Sequence, residues 1–390
     1  MARAALMLLV LVGLTRGQPA APARKPIPSL PADRQRELTQ YLKQHWMRPE
    51  EYVVSKFTDH DIVFLGEYHR IKHDVQLVHS LIPRLYEAGV HNLGIEFGAY
   101  EYQDRADRLT TAETYDEDLA RGLMFEFAPY WGFKEYMDIY RAAWELNRRL
   151  PPGAPRFRVV NLGYKARFDL VTENMTTEDW QRVWHKGDPD QHMADVIVRE
   201  FVERGEKALI YSGSHHAFTR YRQPLYSFEE KKLARLNDSR MGNLVRARMP
   251  DRVFNIFLHS PWATKEGFES HSYPAGGAID RVMLGFKDTR VGFDVRGTPF
   301  GQLQDEGTYY ALGYEGFKLE DFCDGYIYQR HFADYEGCSV DPAFITEGNF
   351  QEAVAWLPNA EARKKLKRPS ELVEAMVGDA DMKRRFRDLQ

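Results

Sequence analysis

A chain of 390 residues with 43% hydrophobic and 28% charged residues has the make-up of a globular protein with a sizeable core, which excludes a disordered one. Its formal charge of −4 gives neither nucleic acid nor an anionic membrane a reason to bind. In chain order, Arg3, an apolar run over residues 4–14 and small-residue zones at 15–17 and 21–23 read as a signal peptide covering 1–23. The run falls short of the about 20 residues that a bilayer span needs, and no cysteine follows it to carry a lipid. The expectation is an exported protein, periplasmic or secreted, with no integral membrane span. The Pro/Ala-rich residues 19–31 read as linker, so that 24–54 forms a linker and an N-terminal helix.

A short β-forming run follows at 61–65, and Asp74 is placed to cap a helix whose Val78, Leu81, Ile82 and Leu85 share one face until Gly89. A second apolar run, 91–97, completes a βαβ unit with a right-handed crossover. The pattern recurs. Phe133 to Trp144 carries a helical stripe, 157–161 a strand, Met193, Ile197 and Phe201 a helix, and 208–211 a fourth strand. Weaker strands are read at 252–258 and 325–328. Alternating elements of this kind predict an α/β fold with a mainly parallel central sheet flanked by helices. Residues 104–124 read as a helical cap insertion, the basic stretch 363–387 as a solvated helical face, and 351–390 as a C-terminal helical tail to an α/β domain spanning 55–350. Cys323 and Cys338 either close one loop, worth about 3 kcal/mol, or stay as thiols.

In a parallel sheet the carboxyl ends of the strands share one edge, where ligands bind. The first strand runs into Gly66, Glu67, Tyr68 and His69, the second ends at Glu96, the third at Asn161, and the fourth is followed by Gly213, His215 and His216. Carboxylates and imidazoles gathered there suit general acid–base chemistry. They equally suit a zinc or manganese ion held by His69, Glu96 and His216 with a position open to water. Each residue also has a plainer reading: Glu67 as a helix cap, His73 as a surface loop residue, Glu96 as half of a buried ion pair. Of His215 and His216, only one can face a common site if the backbone is extended. His185 and His192 carry no functional assignment.

The strings "VFLGEYH", "LGIEFG" and "YSGSHHAF", in that order on βα units, resemble the superfamily that joins erythromycin esterases, ChaN-like haem-binding proteins and Tiki-type metalloproteases, with the ChaN-like pattern the nearer at Tyr68. The matching positions are Gly66, Glu67 and His69, then Glu96, then Gly213 and His216, within a motif core of 55–222. "DQHMA" at 190–194 is similar to the group's helix start, with Pro189 standing where an arginine is expected. The resemblance implies one of two functions. The first is hydrolysis of an ester or amide in a small-molecule or peptide substrate. There, His69 or His216 activates water directly or on a metal, and Glu67 and Glu96 orient the imidazoles. No Gly-x-Ser-x-Gly elbow is present for a serine route. The second is haem or iron binding without turnover, with Tyr68 or His215 among the cofactor-binding residues and Tyr100 and Tyr102 as further tyrosine candidates.

Overall fold

The computed structural model describes residues 24–286 and 289–389, so the signal peptide expected over 1–23 lies outside the described residues. Among the described residues eleven strands are formed: β1 (Ile62–Glu67), β2 (Asn92–Ala99), β3 (Arg158–Gly163), β4 (Ala208–Gly213), β5 (Gln223–Ser227), β6 (Lys232–Asn237), β7 (Val253–Leu258), β8 (Trp262–Thr264), β9 (Gly267–Ser272), β10 (Val291–Asp294) and β11 (Gly325–Tyr328). Seven build one sheet in the order β10-β11-β7-β1-β4-β2-β3. The pairs β11–β7, β7–β1, β1–β4 and β2–β3 are parallel and β10–β11 is antiparallel. The fold is therefore the α/β class expected from the alternating pattern. β1, β2 and β4, whose sequences are largely apolar, are buried along their whole length.

The chain divides into two compact units, one of Val78–Glu206 and Gly337–Asp381, the other of residues 24–77, Lys207–Glu336 and 382–389. In the first, β2 pairs with β3, and helices Gln103–Thr111 and Glu117–Phe127 pack beside them where a cap insertion is expected. Gln103 fastens the former helix to the outer edge of β3. Its amide nitrogen donates to the Val159 carbonyl at 2.9 Å and its amide oxygen accepts from the Asn161 N–H at 2.8 Å. An edge strand is thus given the partners that a further strand would supply.

In the second unit β1 lies between β4 and β7, and β11, where a weaker strand is read at 325–328, and β10 extend the sheet. Two hairpins, β5–β6 and β8–β9, stand apart from the sheet. Both chain ends pack here. Lys25 pairs with Leu389, and its ammonium donates to the His271 carbonyl at 2.6 Å and meets Asp388 at 3.3 Å. Residues 25–28, expected as linker, are thus docked, with Arg281 donating to the Ile27 and Pro28 carbonyls. Met382, Phe386 and Leu389 are buried with Ile71, Tyr273, Phe332 and Tyr335, so the end of the basic stretch has an apolar inner side rather than a fully solvated face. Cys323 and Cys338 are both buried and are not joined in a disulfide.

One helix begins earlier than its capping signal suggests. It runs Lys72–Glu87, which places Asp74 inside the first turn instead of at the cap. Asp74 is buried and accepts from the Gln329 amide at 2.8 Å. The stripe of Val78, Leu81, Ile82 and Leu85 is fully buried, and Gly89, at φ +77°, follows the helix.

Candidate functional site

The register of β1 on β4 sets the site. Leu65 lies opposite Tyr211 and Glu67 opposite Gly213, so the side chains of Glu67 and Tyr211 project from the same face of the sheet. The turn after β4 folds back over the end of β1, where the Ser214 N–H donates to the Glu67 carbonyl at 2.8 Å. Gly66 permits that crossing, because a Cβ there would stand 3.0 Å from Ser214 Cα and 3.2 Å from Ala217 Cβ. The glycine in the Gly-Glu pair is thus a close-approach residue.

The Glu67 side chain is fully buried and uses both oxygens. Oε1 lies 2.9 Å from His69 Nδ1, and Oε2 accepts the hydroxyl of Tyr211. An ionised carboxylate only accepts, so Nδ1 carries the imidazole proton and the lone pair sits on Nε2. The His69 side chain keeps 26% of its surface in solvent, so this imidazole is reachable while its carboxylate is not. A buried carboxylate that fixes a histidine's tautomer and stabilises its protonated form is what a general base requires.

His216 is buried in the turn after β4, its N–H donating to the Gly213 carbonyl at 3.0 Å and its carbonyl accepting from Gly242 at 2.8 Å. His215, beside it, has both ring nitrogens in hydrogen-bond contact, Nε2 with the Tyr310 hydroxyl at 3.0 Å and Nδ1 with the Gln223 amide at 3.2 Å. Tyr68 turns its ring edge to Phe386 at 5.2 Å between centroids, with the Arg385 guanidinium 5.3 Å from the ring centre. Glu96 belongs to the other unit, where it is buried on β2. Asn161 is held by the Tyr140 hydroxyl at 2.6 Å as well as by Gln103, which makes it a structural amide.

His73 is buried rather than a surface loop residue, and burial, then the Arg330 charge, holds its imidazole down to about 3. Burial, then the Glu67 charge, pushes the Asp74 carboxyl well above the usual range. Their contact at 3.6 Å is therefore one in which burial opposes charge on both partners, which makes it a weak ion pair. Among the described residues no group of three or more His, Cys, Asp or Glu is arranged to hold a metal ion. The ligand set expected from His69, Glu96 and His216, with zinc or manganese, thus finds no support.

Sequence reasoning passed over Tyr211. The available signal was a tyrosine near the end of a fully apolar strand, whose hydroxyl needs a partner once buried.

No family model matches the chain. No curated protein matches it either. Solved structures of similar fold include a Bacillus cereus protein with TM-score 0.52 and 11% identity, covering 79% of this chain and 99% of that one. They also include an erythromycin esterase (EreC) mutant in its open conformation, with TM-score 0.48 and 11% identity over 75% of this chain and 94% of that one. A third is ChaN of Campylobacter jejuni with cofacial heme binding, with TM-score 0.35 and 14% identity over 56% and 88% of the respective chains. At such identities likeness speaks for the fold alone. No helix among the described residues is long and apolar enough to cross a membrane.

Proposed function

We propose that the protein is a hydrolase that cleaves an ester or amide bond in a small-molecule or peptide substrate by water activated at His69. The observation that carries this reading is the pairing of the buried Glu67 carboxylate with His69 Nδ1 at 2.9 Å. His69 Nε2 takes a proton from water as the water oxygen bonds to the carbonyl carbon and the carbonyl π pair moves to its oxygen. The intermediate then collapses, the bond to the leaving alcohol or amine breaks, and the imidazolium returns the proton to the leaving group. Glu67 stabilises the imidazolium between the two steps. His216 is assigned as a second imidazole of the site from its place in the turn tied to β1. Glu96, which lies within β2 of the other unit, is given no step in this reaction. The erythromycin esterase among the fold neighbours is compatible with this chemistry. With it we propose export to the periplasm or medium, resting on residues 4–14, and the N-terminal mass of protein recovered outside the cytoplasm tests that.

The test of the reaction is a panel of p-nitrophenyl esters and anilides. Turnover in the wild type that disappears in His69→Asn supports the reading, and turnover unchanged by that variant sinks it. Haem binding, which the ChaN neighbour shows for itself, is the alternative. His215 does not fit a ligand role, since its ring nitrogens are engaged with Tyr310 and Gln223, and the Tyr100 and Tyr102 hydroxyls are given to Glu200 and Glu126, so Tyr68 is the candidate tested. A Soret band on haem titration that is lost in Tyr68→Phe and kept in His216→Ala would replace the hydrolase with a binding protein.

A further inference from the structure

A second chain of hydrogen bonds, reaching the same turn as His216, has a fixed direction. Arg240 Nε can only donate, and it gives its proton to Gln223 Oε1 at 2.8 Å. That orients the Gln223 amide, so its nitrogen is what faces His215 Nδ1 at 3.2 Å and the Tyr309 hydroxyl at 3.4 Å. Tyr309 passes its own proton on to the Pro224 carbonyl. An amide nitrogen donates only, so His215 Nδ1 accepts, and the imidazole proton sits on Nε2, 3.0 Å from the Tyr310 hydroxyl oxygen. Tyr310 thus receives a hydrogen bond from His215 and has its own proton left to give. Gln223 is wholly buried, which shields the chain from exchange with water.

The open end of the chain is Tyr310. Its backbone carbonyl accepts from the Tyr221 hydroxyl at 2.6 Å, and its ring packs against Phe322 at 4.9 Å and Trp262 at 5.5 Å, so the side chain is held in place. It keeps 6% of its surface exposed, and its hydroxyl lies within electrostatic range of the phenol of Tyr68, the residue between Glu67 and His69. Burial raises the Tyr310 hydroxyl far above its ordinary value, so it remains a donor at every working pH. Resting on the hydrolase reading, we propose that Tyr310 donates a hydrogen bond to the substrate oxygen that becomes negative when water adds, and that Arg240, Gln223 and His215 aim it. Tyr310 is then a catalytic residue, and the other three are positioning residues. The chemistry selected is a carbonyl or other oxyanion-forming group, because a donor of one fixed polarity rewards an acceptor and penalises a competing donor.

Two measurements test this. The first is the ring ¹⁵N spectrum of histidine-labelled wild type, in which His215 is expected as the neutral Nε2–H tautomer. The second is calorimetric titration with methyl phenylphosphonate, a tetrahedral monoanion, expected to bind about 10-fold or more weakly to Tyr310→Phe. In ester turnover the same variant is expected to lose about 10²-fold in kcat with little change in KM. An Nδ1–H tautomer at His215, equal phosphonate affinity in the variant, or no phosphonate binding by the wild type would each overturn the proposal. If Tyr310→Phe does not fold, the tautomer in the intact protein decides. The two readings separate cleanly. Wild type that holds phosphonate through Tyr310 but turns over no ester or amide ends the hydrolase and keeps the donor. Turnover undiminished in Tyr310→Phe ends the donor and keeps the hydrolase.

Discussion

The Glu67 carboxylate takes the Tyr211 hydroxyl on one oxygen and His69 Nδ1, at 2.9 Å, on the other. One buried acid therefore joins a strand residue to the loop that follows its own strand. His69→Asn keeps an N–H where Nδ1 stood and removes the basic nitrogen, so folding and catalysis come apart in this variant. Expected is a fall in kcat of about 10²- to 10⁴-fold, with the melting temperature within a few degrees of wild type. Ester turnover and a thermal melt on the same sample check it.

Tyr211→Phe removes a donor from a carboxylate that water does not reach. A cost of about 1–3 kcal/mol is expected, read as a shift of the urea midpoint with the slope unchanged. A midpoint identical to wild type would show that the hydroxyl does not hold Glu67.

His73 and Asp74 should leave opposite marks on stability. The folded His73 is held down to about 3 against an ordinary 6.5, so its contribution is complete above 6.5 and is lost as pH falls from there toward 3. Asp74 is held above its ordinary 3.8, so its contribution is complete at low pH and is lost as pH rises past 3.8. Each slope is limited to about 1.4 kcal/mol per pH unit, and the two oppose one another at mildly acid pH. Asp74→Asn keeps an oxygen for the Gln329 amide and abolishes one slope. The melting temperature of the variant minus that of wild type should then grow from pH 4.5 to pH 8. An equal difference at both ends would refute the burial of an acid at this position.

Gln103→Ala should open the edge of β3. Two backbone groups, the Val159 carbonyl and the Asn161 N–H, lose their side-chain partner. A loss of about 2–4 kcal/mol is expected, checked by denaturant titration. A loss within experimental error would mean that water replaces the amide at no cost.

The strand positions show how far local pattern reaches. The run read at 61–65 is β1 at Ile62–Glu67, and 325–328 is β11 itself, because β-formers bounded by turn residues act within a few neighbours. The helix after β1 shows where local signals mislead. Asp74 has the residue type of a cap, yet the helix starts at Lys72 and draws the carboxyl inward to Gln329. Residues 25–28 likewise have a linker's composition, and only their contacts with Arg281 reveal that they are docked.

The sequence by itself determined the α/β class and the placement of Glu67 and His69 at the end of a buried strand, since both follow from periodicity and from residues adjacent in the chain. Tertiary structure alone decided that Tyr211, 144 positions away, completes the Glu67 carboxylate, and that Arg240, Gln223 and His215 give Tyr310 a proton to donate. Hydrogen-bond direction is set by which donor meets which acceptor in space, and for partners so far apart in the chain only the folded protein brings them together.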